Sequence, residues 1–136
     1  MAYLLNVRTY ETKGRTSEKV AGYGNTAIVE GNTDIPIDIK RVFYIYGSDL
    51  KTVRAGHRLK KTIQVIICIN GSYKIYINDG KKEETFILSS PEKALVVEPK
   101  DWHTMQALKP SSILLVLSSE HYSVDEYIDE PYFPIS

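Results

Sequence analysis

The 136-residue chain has one cysteine, Cys68. A single thiol cannot close an internal disulfide, which fits a reducing compartment. Cys68 lies in the apolar run Val65-Ile66-Ile67-Cys68-Ile69, so an inert core thiol is expected. Net charge is missing too, since 17 Lys and Arg balance 17 Asp and Glu. No overall positive field is available to hold a nucleic-acid backbone. No apolar run approaches the roughly 20 residues needed to cross a bilayer. Residues Met1 to Arg8 lack the charged start and long apolar stretch of a signal peptide. These absences predict a soluble, cytoplasmic protein with neither a nucleic-acid nor a membrane partner. No repeat, linker or second domain is visible, so residues 1–136 read as one domain.

What is present favours strands. The hydrophobic content of 43% is enough for one packed core and argues against a disordered chain. Tyrosine is abundant, with ten residues, many beside valine and isoleucine. From residue 41 onward, short β-type runs alternate with turn signals. The runs are Arg41 to Tyr46, Thr62 to Asn70, Tyr73 to Ile77, Glu84 to Leu88, Ala94 to Glu98 and Ser112 to Ser118. Asn78-Asp79-Gly80 is a hairpin signal. This spacing predicts an antiparallel sandwich or barrel rather than βαβ units. Earlier, Leu4 to Tyr10 and Thr26 to Glu30 read as strands, joined by a long loop around Lys13-Gly14 and Gly22-Tyr23-Gly24-Asn25. Ser123-Val124-Asp125-Glu126 has the spacing of a capping box. Pro131 and Pro134 limit any helix there to about one or two turns.

The segment Arg54-Ala55-Gly56-His57-Arg58-Leu59-Lys60-Lys61-Thr62-Ile63-Gln64, with Gly71 beyond it, is the densest in chemistry. It resembles the first cupin motif in spacing, with His57, Leu59, Gln64 and Gly71 at the motif positions. Pro99-Lys100-Asp101-Trp102-His103 loosely resembles the second. The resemblance implies an all-β cupin or jelly-roll antiparallel β-barrel, here with a short C-terminal helical turn. Leucine offers no lone pair and glutamine is a poor substitute for a carboxylate, so no metal is expected.

A more specific resemblance rests on segments in a fixed order: Asp38 to Ile45, the arginine–histidine stretch, Ile69-Asn70-Gly71-Ser72, Trp102-His103 and Ser119 to Ile128. The set is similar to the dTDP-4-keto-6-deoxyglucose 3,4-ketoisomerases. That resemblance implies a metal-free, cofactor-free homodimer that moves the ketone of a dTDP-linked keto-deoxysugar from C4 to C3. The product would feed 3-amino-deoxysugar biosynthesis for surface polysaccharides such as lipopolysaccharide.

Ketone migration requires removing a proton from C3 and delivering one to C4 through an enediol. A histidine titrates near neutrality and exchanges protons both ways. His57 is therefore the expected shuttle. The family carries His-x-His, and Leu59 holds the second position here. Tyr44 or His103 is the expected compensation. Arg41 and Arg54 resemble the nucleotide-anchoring arginines, suited to grip diphosphate oxygens. Lys60 and Trp102 complete the expected substrate-binding set. Two other readings stay open: an epimerase of the same fold, its histidine supported by Asp101 or another acid, and a non-catalytic nucleotide-sugar-binding cupin. A metal-dependent dioxygenase stands third.

Overall fold

Residues 1–12 and 22–132 are described by a computed structural model. The described residues form twelve strands. They are β1 (Tyr3–Asn6), β2 (Arg8–Glu11), β3 (Asn25–Ile28), β4 (Arg41–Ile45), β5 (Arg54–Leu59) and β6 (Gln64–Asn70), followed by β7 (Tyr73–Asn78), β8 (Glu83–Leu88), β9 (Lys93–Val97), β10 (Trp102–Ala107), β11 (Ile113–Ser118) and β12 (Tyr127–Ile128). The tyrosine- and isoleucine-rich runs became strands because β-branched and aromatic side chains pack well on a pleated surface. The Lys13-Gly14 part of the expected long loop, and the limit set by Pro134, lie outside the described residues. Leu4 to Tyr10 is two strands instead of one, broken at buried Val7, whose N–H donates to the Glu92 carbonyl at 2.8 Å.

The strands form two five-stranded antiparallel sheets, ordered β1-β9-β6-β11-β4 and β12-β5-β10-β7-β8, beside the β2–β3 ribbon. Each large sheet ends in its own edge strands, and among the described residues no strand pairing joins one sheet to the other. The expected closed barrel is therefore wrong: the fold is an open pair of sheets. Alternation and turn signals are common to both architectures, whereas closure depends on edge-to-edge pairing between distant segments.

The core between the sheets draws on both. Ile66, Leu95, Leu114 and Val116 come from one and Tyr73, Ile75, Leu88 and Met105 from the other. Cys68 is buried in this core, and burial pushes its thiol pKa up. A second cluster of Val65, Ile67, Val96 and Leu117 covers the other face of the first sheet, under Ile35 and Ile37. Among the described residues no helix is long and apolar enough to cross a membrane.

Gly71, the last position of the motif spacing, turns the chain between β6 and β7 at φ +77°, where L side chains are strained. A Cβ there would stand 2.9 Å from the Ser112 backbone. The C-terminal turn exists as a single 3-10 turn, Val124–Glu126, but not as a capping box. Ser123 makes no side-chain cap bond. Glu126 turns instead toward the segment after β5, where its Oε1 accepts from the Lys61 N–H, the Thr62 N–H and the Thr62 hydroxyl at 3.0, 3.0 and 2.6 Å.

Candidate active site

Where β4 and the β12–β5 pair form the sheet edges among the described residues, a cleft opens between the two sheets. Arg41, Phe43 and Ile45 line it from β4, and Arg54, Ala55 and His57 from β5. Gln64, His103, Met105 and Tyr127 complete it, around a cavity of about 230 Å³.

Strand alternation explains β4, since residues two apart share a face. By itself it does not explain β5, where Arg54 and His57 are three apart. The register with β10 runs His103 opposite His57 and then Thr104 opposite Ala55, leaving Gly56 as an extra residue. This bulge puts Ala55 at φ 66° and Gly56 at φ 78°. Ala55 is thus a non-glycine residue in the left-handed region, a strained conformation of the kind found at functional sites. The bulge resets the parity of the strand, so Arg54, Ala55 and His57 all reach the cleft.

His57 and His103 face one another across adjacent strands, ring centroids 5.2 Å apart at 80°. Tyr127 packs edge-on against the other flank of His57, 4.7 Å away at 74°. Burial lowers the His57 pKa, and the Asp129 carboxylate pulls it back up. Asp129 follows directly on the β12–β5 ladder, whose register pairs Tyr127 with Leu59 and Ile128 with Arg58. The next step would set Asp129 opposite His57. Asp101, the other acid considered, lies elsewhere: its carboxylate caps the Glu98 N–H at 3.0 Å and faces the N-terminal ammonium.

His103 is fully buried, and desolvation drops its pKa to about 4. It stays neutral at physiological pH. Its Nδ1 lies 3.2 Å from the Asp101 carbonyl. A carbonyl only accepts, so Nδ1 carries the hydrogen and Nε2 keeps a lone pair. Among the described residues that Nε2 is buried without a partner. A buried acceptor in a cleft wall is a ready point for a ligand hydroxyl.

The two arginines supply positive charge at the rim. Arg41 lies over the Phe43 ring at 4.4 Å and the Tyr122 ring at 5.1 Å, a stacking that fixes its plane. Arg54 is exposed, and among the described residues no hydrogen bond or ion pair holds its guanidinium.

Three expected residues lie elsewhere. Tyr44 is 64% exposed on the opposite face of β4, against Tyr46. Trp102 neighbours His103 on β10 and therefore faces the other way, near Gly56 and Tyr76. The Lys60 side chain is exposed and does not line the cleft, while its N–H donates to the Glu126 carbonyl at 3.0 Å. Leu59, at the position of the family's second histidine, is buried beside Tyr127. The sequence reading missed Tyr127, Phe43, Met105 and Asp129. No local pattern announces Tyr127 or Asp129, because they reach His57 only through pairing between segments about 70 residues apart in sequence. Among the described residues there is no group of three or more His, Cys, Asp or Glu side chains arranged to hold a metal ion.

Residues 7–133 match the family model described as FdtA: WxcM-like, C-terminal. The chain is 36% identical over 105 residues to a TDP-4-oxo-6-deoxy-alpha-D-glucose-3,4-oxoisomerase of Aneurinibacillus thermoaerophilus, covering 77% of this chain and 76% of that one. It superposes on a histidine-to-asparagine variant of the 3,4-ketoisomerase QdtA of Thermoanaerobacterium thermosaccharolyticum in complex with TDP-4-keto-6-deoxyglucose. The TM-score is 0.84 at 34% identity, over 95% of this chain and 87% of that one. The WlaRB TDP-quinovose 3,4-ketoisomerase of Campylobacter jejuni gives 0.84 at 32% identity, over 95% and 92%.

Proposed function

The chain belongs to the WxcM-like FdtA family, and on that premise we propose that it is a 3,4-ketoisomerase of a dTDP-4-keto-6-deoxyhexose. The observation that carries the reading is the His57–His103 pair in a cleft flanked by two arginines. His57, kept neutral by burial, takes the proton from C3, which the adjacent C4 carbonyl acidifies. The C3–H electron pair becomes the C3–C4 double bond of an enediolate, and the carbonyl electrons move to O4. The imidazolium then returns the proton to C4, and the O3 hydroxyl hydrogen ends on O4. Nothing is gained or lost overall, so no external oxidant or reductant is needed.

A single base can serve both carbons when they lie on the same side of it. On this reading Leu59 removes no necessary group, and His103 acts as a neutral acceptor for a sugar hydroxyl. Its pKa of about 4 makes it a poor proton donor at neutral pH. Arg41 and Arg54 hold the diphosphate and soften the charge on the enediolate.

The enzyme is further proposed to be cytoplasmic and homodimeric. Support for a dimer comes from β4, an edge strand among the described residues, whose outer face exposes Val42 and Tyr44 (56% and 64%), with Tyr46 (71%) just beyond it. His57→Asn tests the catalytic assignment. Turnover of dTDP-4-keto-6-deoxyglucose should disappear while TDP binding persists. Retained turnover would remove His57 from the mechanism.

A further inference from the structure

Among the described residues no hydrogen bond holds the His57 ring. A catalytic imidazole needs an orienting partner, usually a hydrogen bond to its second nitrogen. Here packing must supply the orientation, with His103 on one flank and Tyr127 on the other. His103 is fixed within a central strand of its sheet. Tyr127 is not, because β12 is two residues long and lies at a sheet edge. Two residues of ladder are too few to hold an edge strand in place.

What fastens that strand is Glu126. Its single Oε1 collects three hydrogen bonds from Lys61 and Thr62, in the turn between β5 and β6. Its carbonyl takes a fourth, from the Lys60 N–H at 3.0 Å. These donors lower the Glu126 pKa and keep the carboxylate charged, which strengthens each bond. The residue next to this anchor is the one whose ring meets His57.

We propose that Glu126 is a positioning residue: by fastening the C-terminal strand to the end of β5 it presses the Tyr127 ring against His57 and holds the imidazole in its reacting orientation. The inference rests on the reading of His57 as the proton shuttle. It separates two kinds of substitution. Glu126→Gln keeps a carbonyl oxygen at the Oε1 position and can accept the same bonds, whereas Glu126→Ala cannot. Tyr127→Phe keeps the ring, whereas Tyr127→Ala removes it.

The test uses these four variants in the full chain. Steady-state turnover is measured with dTDP-4-keto-6-deoxyglucose. The His57 ring is titrated by NMR in protein without nucleotide. The charged and titratable groups around that ring are His103, Tyr127 and Asp129, with Arg41 and Arg54 lining the same cleft. Glu126→Ala and Tyr127→Ala should lower kcat by about 10- to 100-fold, the range expected when a reacting group is misplaced by about 1 Å. KM should change less. In both, the His57 midpoint should climb toward its ordinary 6.5 as the ring gains solvent. Glu126→Gln should stay close to wild type in both readouts, and Tyr127→Phe, which keeps the ring, should hold the His57 midpoint.

Unchanged kcat and an unchanged His57 midpoint in the alanine variants would overturn the proposal. Equal losses in Tyr127→Phe and Tyr127→Ala would assign the work to the hydroxyl and overturn the orienting role. If the wild type does not isomerise the sugar, the functional reading fails, and the His57 titration alone decides the strap. Should Glu126→Ala fail to fold, Thr62→Val, which removes one donor to Oε1, takes its place with the same readouts.

Discussion

Acid should unfold this protein partly through His103, and the size of that effect follows from its burial. The unfolded chain binds a proton at His103 with the ordinary pKa of 6.5, whereas the folded chain does so only near 4. Between those values the unfolded state holds the proton and the folded state refuses it. Stability therefore falls as the pH drops through 6.5, and this contribution levels off below about 4. The full gap corresponds to about 3 kcal/mol, of which about 2 kcal/mol is lost by pH 5. That is a large share of the roughly 5–15 kcal/mol that holds a typical domain together. Urea unfolding at about pH 8 and about pH 5, on wild type and His103→Gln, isolates the term. The variant is expected to be less stable at both pH values, yet to lose about 2 kcal/mol less between them. Carboxylates titrate alike in the two proteins and cancel in the difference. Equal losses in wild type and variant would refute the idea that His103 is buried neutral.

Other perturbations have defined outcomes. Asp129→Asn removes a carboxylate that raises the His57 pKa, so the acid limb of the kcat/KM profile should move to lower pH. Because Asp129 is exposed, added salt should shrink the wild-type–variant difference; a limb that stays put would detach Asp129 from His57. Gly71→Ala forces a Cβ to within 2.9 Å of the Ser112 backbone at φ +77°. It should lower stability by about 2–4 kcal/mol in denaturant melts, and a loss near zero would contradict the described turn. Tyr44→Glu places a charge on the outer face of β4 and should shift the protein toward monomer in light scattering. An unchanged mass would locate any dimer contact elsewhere.

The strand content was legible because period-2 alternation and turn residues are local signals. Barrel closure was not, since β4 and β12 read the same locally whether or not their edges pair. Part of the site could have been read more sharply. Arg41 and Tyr44 are three apart on one strand and cannot share a face, and neither can adjacent Trp102 and His103. Applied to β5, the same rule would have separated Arg54 from His57. Only the Gly56 bulge unites them, and a glycine alone does not announce a bulge. Glu126 illustrates a different limit. Its spacing from Ser123 satisfies the capping-box pattern, but the unpaired N–H groups of Lys61 and Thr62 compete for the carboxylate and win. Those donors come from 64 and 65 residues away in sequence, beyond any local reading.

On the proposed mechanism the ketone migrates by way of a shuttled proton. Incubating the protein with dTDP-4-keto-6-deoxyglucose in D₂O and following the sugar protons by NMR tests it most directly. A 3-keto product is expected, with deuterium entering at C4 to the extent that His57 exchanges its proton with solvent before returning it. Nucleotide sugar that binds but keeps its ketone at C4 would contradict it.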